Sequence, residues 1–98
     1  MTGLTRTSAD LDPRRRRVLF RAWHRGIREM DLIMGRFAEA NLKEMADADL
    51  DDFELLIEAP DHDLFSWICG SETVPANYDT AIFRAVKSFH THDAPIHS

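Results

Sequence analysis

Cysteine, glycine and long apolar runs are all scarce in this chain, and each shortage excludes a class of protein. Cys69 is the only cysteine, which excludes an internal disulfide and a multi-cysteine zinc site and favours a reducing compartment. The four glycines are scattered, so the glycine-rich phosphate loops of nucleotide-binding proteins are excluded. No apolar run approaches the roughly 18 residues that cross a bilayer, and residues 1–17 lack the apolar core of a secretory signal. We therefore expect a cytoplasmic protein without membrane insertion.

Positive charge is scarce after position 36, where three basic residues face thirteen acids. Residues 1–36 show the reverse, with nine arginines and four acids. A chain with oppositely charged ends is better suited to docking onto a protein than to coating nucleic acid, because its acidic part would repel phosphates. The Arg14–Arg17 run leaves nucleic-acid binding open as a minor alternative. Its simpler interpretation is the solvated, frayed start of a helix.

The alternation typical of half-buried strands is also absent, and helical periodicity takes its place. The pattern predicts helices over about residues 13–24, 28–45, 49–59, 61–69 and 76–90. Asp49 and Asp61 are the expected N-caps of the third and fourth helices, and Gly26 and Gly70 are expected helix ends. The predicted fold is all-α, a small five-helix bundle in a single domain.

The expected domain covers residues 13–90. We expect residues 1–12 to be a disordered leader and residues 91–98 to be a flexible tail, because neither segment shows helical periodicity.

The sequence predicts how three particular residues pack. Gly35 interrupts the second helix at a cost of about 1 kcal/mol relative to alanine, which indicates close packing or a surface that a partner approaches. Cys69 is expected to be a small buried residue late in the fourth helix. Phe65 lies off the apolar face that carries Leu64 and Trp67, so we expect it to be partly exposed and keep it as a contact candidate.

Patterns typical of catalysis or metal binding are not found in the sequence. The serines lack a nucleophile elbow or an oxyanion motif. The acidic run from Asp47 to Glu54 lacks the glycine and the spaced glutamate of a calcium loop. His90 and His92 have no carboxylate or cysteine partners at ligand spacing. We therefore predict that the chain is not an enzyme, holds no metal and binds no cofactor tightly.

The segment HRGIREMD, residues 24–31, joins the first two predicted helices. Gly26 suits the end of a helix, whereas Glu29 and Asp31 suit the first turn of the next one, where negative charge complements the helix dipole. Arg25 and Arg28 are placed against that preference. Arginine can grip a carboxylate or a phosphate with two hydrogen bonds. The simpler interpretation is a turn between two helices with solvated arginines. The alternative, which we expect, is that Arg25 and Glu29 are poorly explained by folding alone and serve function.

Arg25-Gly26-x-x-Glu29, followed by Met30-Asp31, resembles the RGxxE signature of the flavinylation factors of succinate dehydrogenase. That family also carries a D-x-D-L-F-x-W segment, and residues 61–67 read DHDLFSW here. Proline is frequent in the family at the position of His62, a difference that should affect only the start of that helix. The resemblance covers about residues 14–90.

The resemblance implies a small five-helix assembly factor that is not itself an enzyme. Such factors bind the flavoprotein subunit of succinate dehydrogenase, and in bacteria often fumarate reductase. They promote covalent attachment of FAD to a histidine of that subunit, and the partner holds or receives the FAD. By the match, Arg25, Gly26 and Glu29 contact the partner, with Arg28 and Asp31 close by. We expect a monomer. An antitoxin-like regulatory module of the same fold remains the alternative, since members of this family have also been described in that way.

Overall fold

The computed structural model describes residues 11–93, and five α-helices lie in that range. Their bounds are Pro13–Trp23 for α1, Arg28–Asn41 for α2, Asp47–Ile57 for α3, Asp61–Cys69 for α4 and Ala81–Ser88 for α5. Short 3-10 turns cover Leu42–Glu44 and Ala76–Tyr78, and a π turn covers Phe89–Asp93. Residues 11–93 contain no β-strand. The predicted all-α, five-helix fold is confirmed.

Several helix boundaries differ from the prediction for local reasons. The Asn41 side chain donates a 2.9 Å hydrogen bond to the Phe37 carbonyl, and α2 gives way there to a 3-10 turn instead of reaching Met45. Asp49 is not an N-cap, because α3 already starts at Asp47. Helix α5 starts at Ala81 because the Thr80 hydroxyl caps it through the Phe83 N–H.

The apolar faces predicted for α2, α3 and α4 form one core. Its fully buried members include Met30, Met34, Leu50, Phe53, Leu56 and Leu64. Leu11 is also buried, and the Asp12 carboxylate caps α1. Leu11 and Asp12, at the end of the expected leader, therefore pack onto the domain. Residues 1–10 and 94–98, which hold the rest of the predicted leader and most of the tail, lie outside the described range. The prediction that Cys69 is buried is wrong, because its side chain lies on the outer side of α4.

Gly35 is a point of close contact between α2 and α1. A Cβ atom at this position would lie within 2.6 Å of ring carbon Cε3 of Trp23, a separation that real contacts do not show. The interpretation of Gly35 as a close-packing position is confirmed. The indole of Trp23 therefore rests on the α2 backbone and fixes the distance between the two helices that flank the 24–27 joint.

We predict that Gly35→Ala lowers the free energy of unfolding by about 1–2 kcal/mol. The cause is overpacking against Trp23, which costs about 1–3 kcal/mol and exceeds the gain of about 1 kcal/mol in helix propensity. In a Trp23→Ala background the same change should be neutral or stabilising, because the clash is gone. Urea unfolding of the four proteins measures this coupling, and a Gly35→Ala effect that is equal in both backgrounds would contradict the packing account.

The charge asymmetry of the sequence is partly neutralised by the packing of α1 against α3. Arg14 donates to the carboxylates of Glu54 and Asp51, at 2.7 and 2.5 Å. Arg15 donates to the carbonyls of Leu42 and Met45. The interpretation of Arg14–Arg17 as a frayed, solvated helix start is wrong for the first two arginines. Arg14 ties α1 to α3, and Arg15 ties it to the chain that leads into α3.

The Arg14 hydrogen bond holds the pKa of Glu54 below its ordinary value of 4.5. A lowered folded-state pKa contributes stability that is present above the ordinary value and is lost as the pH falls through the folded one. We predict that wild type exceeds Arg14→Gln in unfolding free energy at pH 6, and that the difference shrinks steadily below pH 4.5. Urea titrations between these conditions measure it, with Arg84→Gln as the control. A difference that is constant with pH would contradict the assignment.

None of the helices within residues 11–93 combines the length and the apolar character needed to cross a membrane.

Candidate partner-binding site

The joint between α1 and α2 is a tight turn built around Gly26. Helix α1 ends at Trp23, with His24 in the C-cap position. Gly26 has a φ of +108°, a backbone conformation that side-chain-bearing residues rarely adopt. Ile27 then takes an extended conformation as the N-cap residue of α2 and packs partly against the core. The predicted turn at Gly26 is confirmed, and α2 begins at Arg28 as expected.

Arg25 points inward from this joint. Its side chain is only 7% exposed and pairs with Asp61, which is 16% exposed, at 2.8 Å. The guanidinium also donates to the carbonyls of Ala59, at 2.7 Å, and of Ile57. The expectation that folding alone explains Arg25 poorly is therefore wrong. Its side chain ties the α1–α2 joint to the α3–α4 joint.

Helix geometry explains why an arginine is needed there. The last carbonyls of a helix have no partner within the helix, and the C-terminal end of a helix favours a positive charge. The Arg25 guanidinium donates hydrogen bonds to the carbonyls of Ile57 and Ala59 and places its positive charge at the C-terminal end of α3. Asp61 is the first residue of α4, a position where the helix dipole favours a negative charge. The predicted N-cap role of Asp61 is wrong, because Pro60 occupies that position and the Asp61 carboxylate serves Arg25 instead.

Asp31 braces the same turn from the other side. Its carboxylate accepts a hydrogen bond from the backbone N–H of Arg25, and its side chain is half-buried. The carboxylate thereby fixes the backbone just before Gly26. Arg25 and Asp31 together hold the joint in one conformation.

Gly26, Arg28 and Glu29 form the outer surface of the joint, and all three are exposed. Within residues 11–93, the side chains of Arg28 and Glu29 make no hydrogen bond or ion pair. Among the residues that the structure describes, a Cβ built on Gly26 would meet one atom within 4 Å, the Asp61 Oδ2 at 4.0 Å. The space above Gly26 is therefore open. We call these three residues the joint surface.

A shallow depression of about 360 Å³ adjoins the joint surface. It lies between the end of α1 and the α3–α4 joint. Its lining residues are Phe20, Arg21, His24, Arg25, Ile57, Ala59, Pro60 and Asp61. Two features of this region were missed by sequence reasoning: the Arg25–Asp61 pair, and an exposed Phe20 that stacks on His24 with ring centroids 4.0 Å apart. Phe20 could have been found from its position, which lies off the apolar face of Val18, Leu19 and Ala22.

The groups at the joint are suited to binding another protein. The part of the chain that the structure describes holds no group of three histidine, cysteine or acidic side chains able to bind a metal. The joint surface offers one positive charge, one negative charge and an open glycine backbone. These are groups that form charge-assisted hydrogen bonds with another protein.

A sequence model of the family described as flavinator of succinate dehydrogenase matches residues 16–90. The match spans the joint surface, Asp31 and Asp61. The chain belongs to this flavinator family.

Relatives in the flavinator family support the match. The chain is 41% identical over 75 residues to the FAD assembly factor SdhE of Acetobacter pasteurianus, covering 76% of this chain and 69% of that protein. It is 32% identical over 79 residues to the mitochondrial succinate dehydrogenase assembly factor 2 of Dictyostelium discoideum, covering 81% of this chain and 56% of that protein. The corresponding factor of Caenorhabditis briggsae is 37% identical over 82 residues, covering 81% of this chain and 67% of that protein. The chain thus spans between about half and two thirds of the length of these relatives.

Proposed function

We propose that this chain is an assembly factor for succinate dehydrogenase. In this proposal it binds the flavoprotein subunit and promotes covalent attachment of FAD to a histidine of that subunit. The observation that carries the proposal is the family match over residues 16–90. The matched range includes the joint surface, where the side chains of Arg28 and Glu29 have no partner within residues 11–93. The covalent chemistry stays with the flavin and the flavoprotein, so the chain itself acts as a chaperone and not as an enzyme.

In this proposal the exposed site residues contact the partner, and the buried ones hold the joint in place. Gly26 lets the partner backbone approach closely, because no side chain covers it. Arg28 and Glu29 supply hydrogen bonds to the partner from the first turn of α2. Arg25 and Asp31 are positioning residues in this proposal, because their side chains hold the joint from inside. A rigid joint loses little conformational entropy when the complex forms, which favours affinity.

Binding accelerates flavinylation by selecting one conformation of the partner. If the factor prefers a flavoprotein state in which FAD and its acceptor histidine lie at attack distance, that state becomes more populated. Correct positioning of two reacting groups can supply a rate factor of many orders of magnitude. This chain then needs no FAD site of its own, and FAD is held by the partner. Fumarate reductase is a second proposed client.

The test combines the purified chain with apo-flavoprotein subunit and FAD. Covalent flavin is followed by in-gel fluorescence after denaturation, with and without the chain. We expect the chain to raise the rate of covalent incorporation at least about tenfold, which corresponds to about 1.4 kcal/mol of barrier. Equal rates in both reactions would overturn the proposal.

Light scattering on the chain alone tests the proposed monomer, and fractionation of the native cell tests the proposed cytoplasmic location.

A further inference from the structure

The outer face of α1 carries an exposed aromatic ring set among basic side chains. Phe20 is 63% exposed, more than any other large hydrophobic residue within the described range. Its ring stacks on His24, and His24 Nδ1 lies 2.7 Å from the Phe20 carbonyl oxygen. The ring is therefore held in place one turn before the joint. An immobilised exposed aromatic loses little side-chain entropy on binding, and folding gives no reason to leave it in water.

The arginines of α1 divide into two groups. Arg14 and Arg15 are engaged by α3 and by the chain before it, as described above. The Arg17 side chain has no ion pair or hydrogen bond within residues 11–93. Among the described residues, the Arg21 side chain pairs with Glu58 alone, and both of those side chains are substantially exposed, so the pair contributes little to stability. Arg17 precedes Phe20 by three residues and Arg21 follows it directly, and all three line one depression on the surface of α1.

Phe20 and Arg21 line two depressions. The first, described above, reaches Arg25 and Asp61 and so connects this face to the joint surface. The second has a volume of about 520 Å³ and is lined by Pro13, Arg16, Arg17, Phe20 and Arg21. A fixed aromatic ring with arginines around it has the composition of an interface hot spot.

We propose that the face of α1 formed by Arg17, Phe20, Arg21 and His24 is a second part of the docking surface, and that it receives an acidic segment of the flavoprotein subunit. This inference rests on the proposed function, since it names a further contact for the same partner. Charge complementarity identifies the occupant: carboxylates pair with Arg17 and Arg21, and an apolar side chain covers the Phe20 ring.

The α1 face adds affinity, whereas the joint surface acts on the flavoprotein conformation. Variants of the α1 face should therefore change the Kd for apo-flavoprotein and leave the flavinylation rate at saturating factor near the wild-type value. Phe20→Ala is compared with Leu55→Ala, because Leu55 is an exposed large hydrophobic residue on the acidic α3. Arg17→Glu is compared with Arg84→Glu, because Arg84 is an exposed arginine on α5.

The experiment is calorimetric titration of each purified, folded variant into apo-flavoprotein subunit at low and high salt. We expect Phe20→Ala and Arg17→Glu to weaken binding by about tenfold or more, as at interface hot spots, with both controls within about threefold of wild type. Arg17→Glu should also reduce the salt dependence of binding. If wild type binds and promotes flavinylation but Phe20→Ala and Arg17→Glu bind equally well, the α1 inference is overturned while the proposed function stands. If wild type fails to bind the subunit, the proposed function itself fails.

A membrane surface is the competing occupant of a basic face with an exposed aromatic ring. Wild type and Arg17→Glu are therefore also mixed with vesicles that contain phosphatidylserine. Binding of wild type to vesicles that is lost in Arg17→Glu, with unchanged affinity for the flavoprotein, would overturn the proposal in favour of a lipid contact.

Discussion

Arg25→Ala is expected to lower the free energy of unfolding by about 3 kcal/mol or more. The substitution removes the partner of a largely buried carboxylate at Asp61 and leaves that charge without compensation, which typically costs about 3–5 kcal/mol. Two carbonyls at the end of α3 also lose their donor. For a domain of this size the expected fall in Tm is at least about 12 °C.

Urea unfolding followed by circular dichroism measures this effect, and Arg84→Ala is the matched control. Arg84 pairs with Asp79 at the surface, so its loss should cost less than about 1 kcal/mol. The Arg25→Ala/Asp61→Ala double variant should lose far less than the sum of the two single variants, because neither charge is left alone. A loss for Arg25→Ala as small as that for Arg84→Ala would show that the guanidinium is not the anchor of the joint.

Gly26→Arg is expected to reduce factor-dependent flavinylation by on the order of a hundredfold, or about 2.8 kcal/mol at 1.4 kcal/mol per tenfold. The new side chain would stand in the open space above the joint, where the partner backbone is proposed to approach. A side chain at a φ of +108° also introduces backbone strain, typically about 1–3 kcal/mol, so stability must be separated from contact.

Gly70→Arg is the control that distinguishes a loss of stability from a loss of partner contact. Gly70 is also exposed, also has a positive φ, of +85°, and also has open space around it. It lies at the end of α4, outside the joint. Both variants should lose similar stability, but only Gly26→Arg should lose flavinylation when rates are compared at equal concentrations of folded protein. Equal losses of flavinylation would mean that Gly26 acts through stability alone.

The fold could be predicted from the sequence because its helices have clear apolar faces. Met30, Phe53 and Leu64 are buried as their periodicity indicates, and Gly70 ends α4 in the left-handed conformation. The prediction for Cys69 was wrong because it relied on the usual burial of cysteine, whereas the position of Cys69 on α4 leaves its side chain exposed. These features are local, and local patterns are what a single sequence reveals.

The site was harder to predict because its decisive contact joins residues far apart in the chain. Arg25 and Asp61 are 36 positions apart. Arg25 lies in the RGIRE segment and Asp61 in the DHDLFSW segment, which are identified in the sequence as two separate motifs. No local rule indicated that the two segments meet. The pairing changes the interpretation of Arg25 from a surface contact to an internal anchor, and it leaves Gly26, Arg28 and Glu29 as the exposed residues of the joint.

Site-specific photo-crosslinking tests the central claim most directly. A benzophenone side chain is placed at Arg28 on the joint surface or, as a control, at the exposed Lys87 on α5. Each protein is irradiated with apo-flavoprotein subunit, and the products are separated by denaturing electrophoresis. We predict a covalent complex with the flavoprotein from position 28 and none above background from position 87. A complex from position 87 with none from position 28 would contradict the assignment of the joint as the partner-binding site.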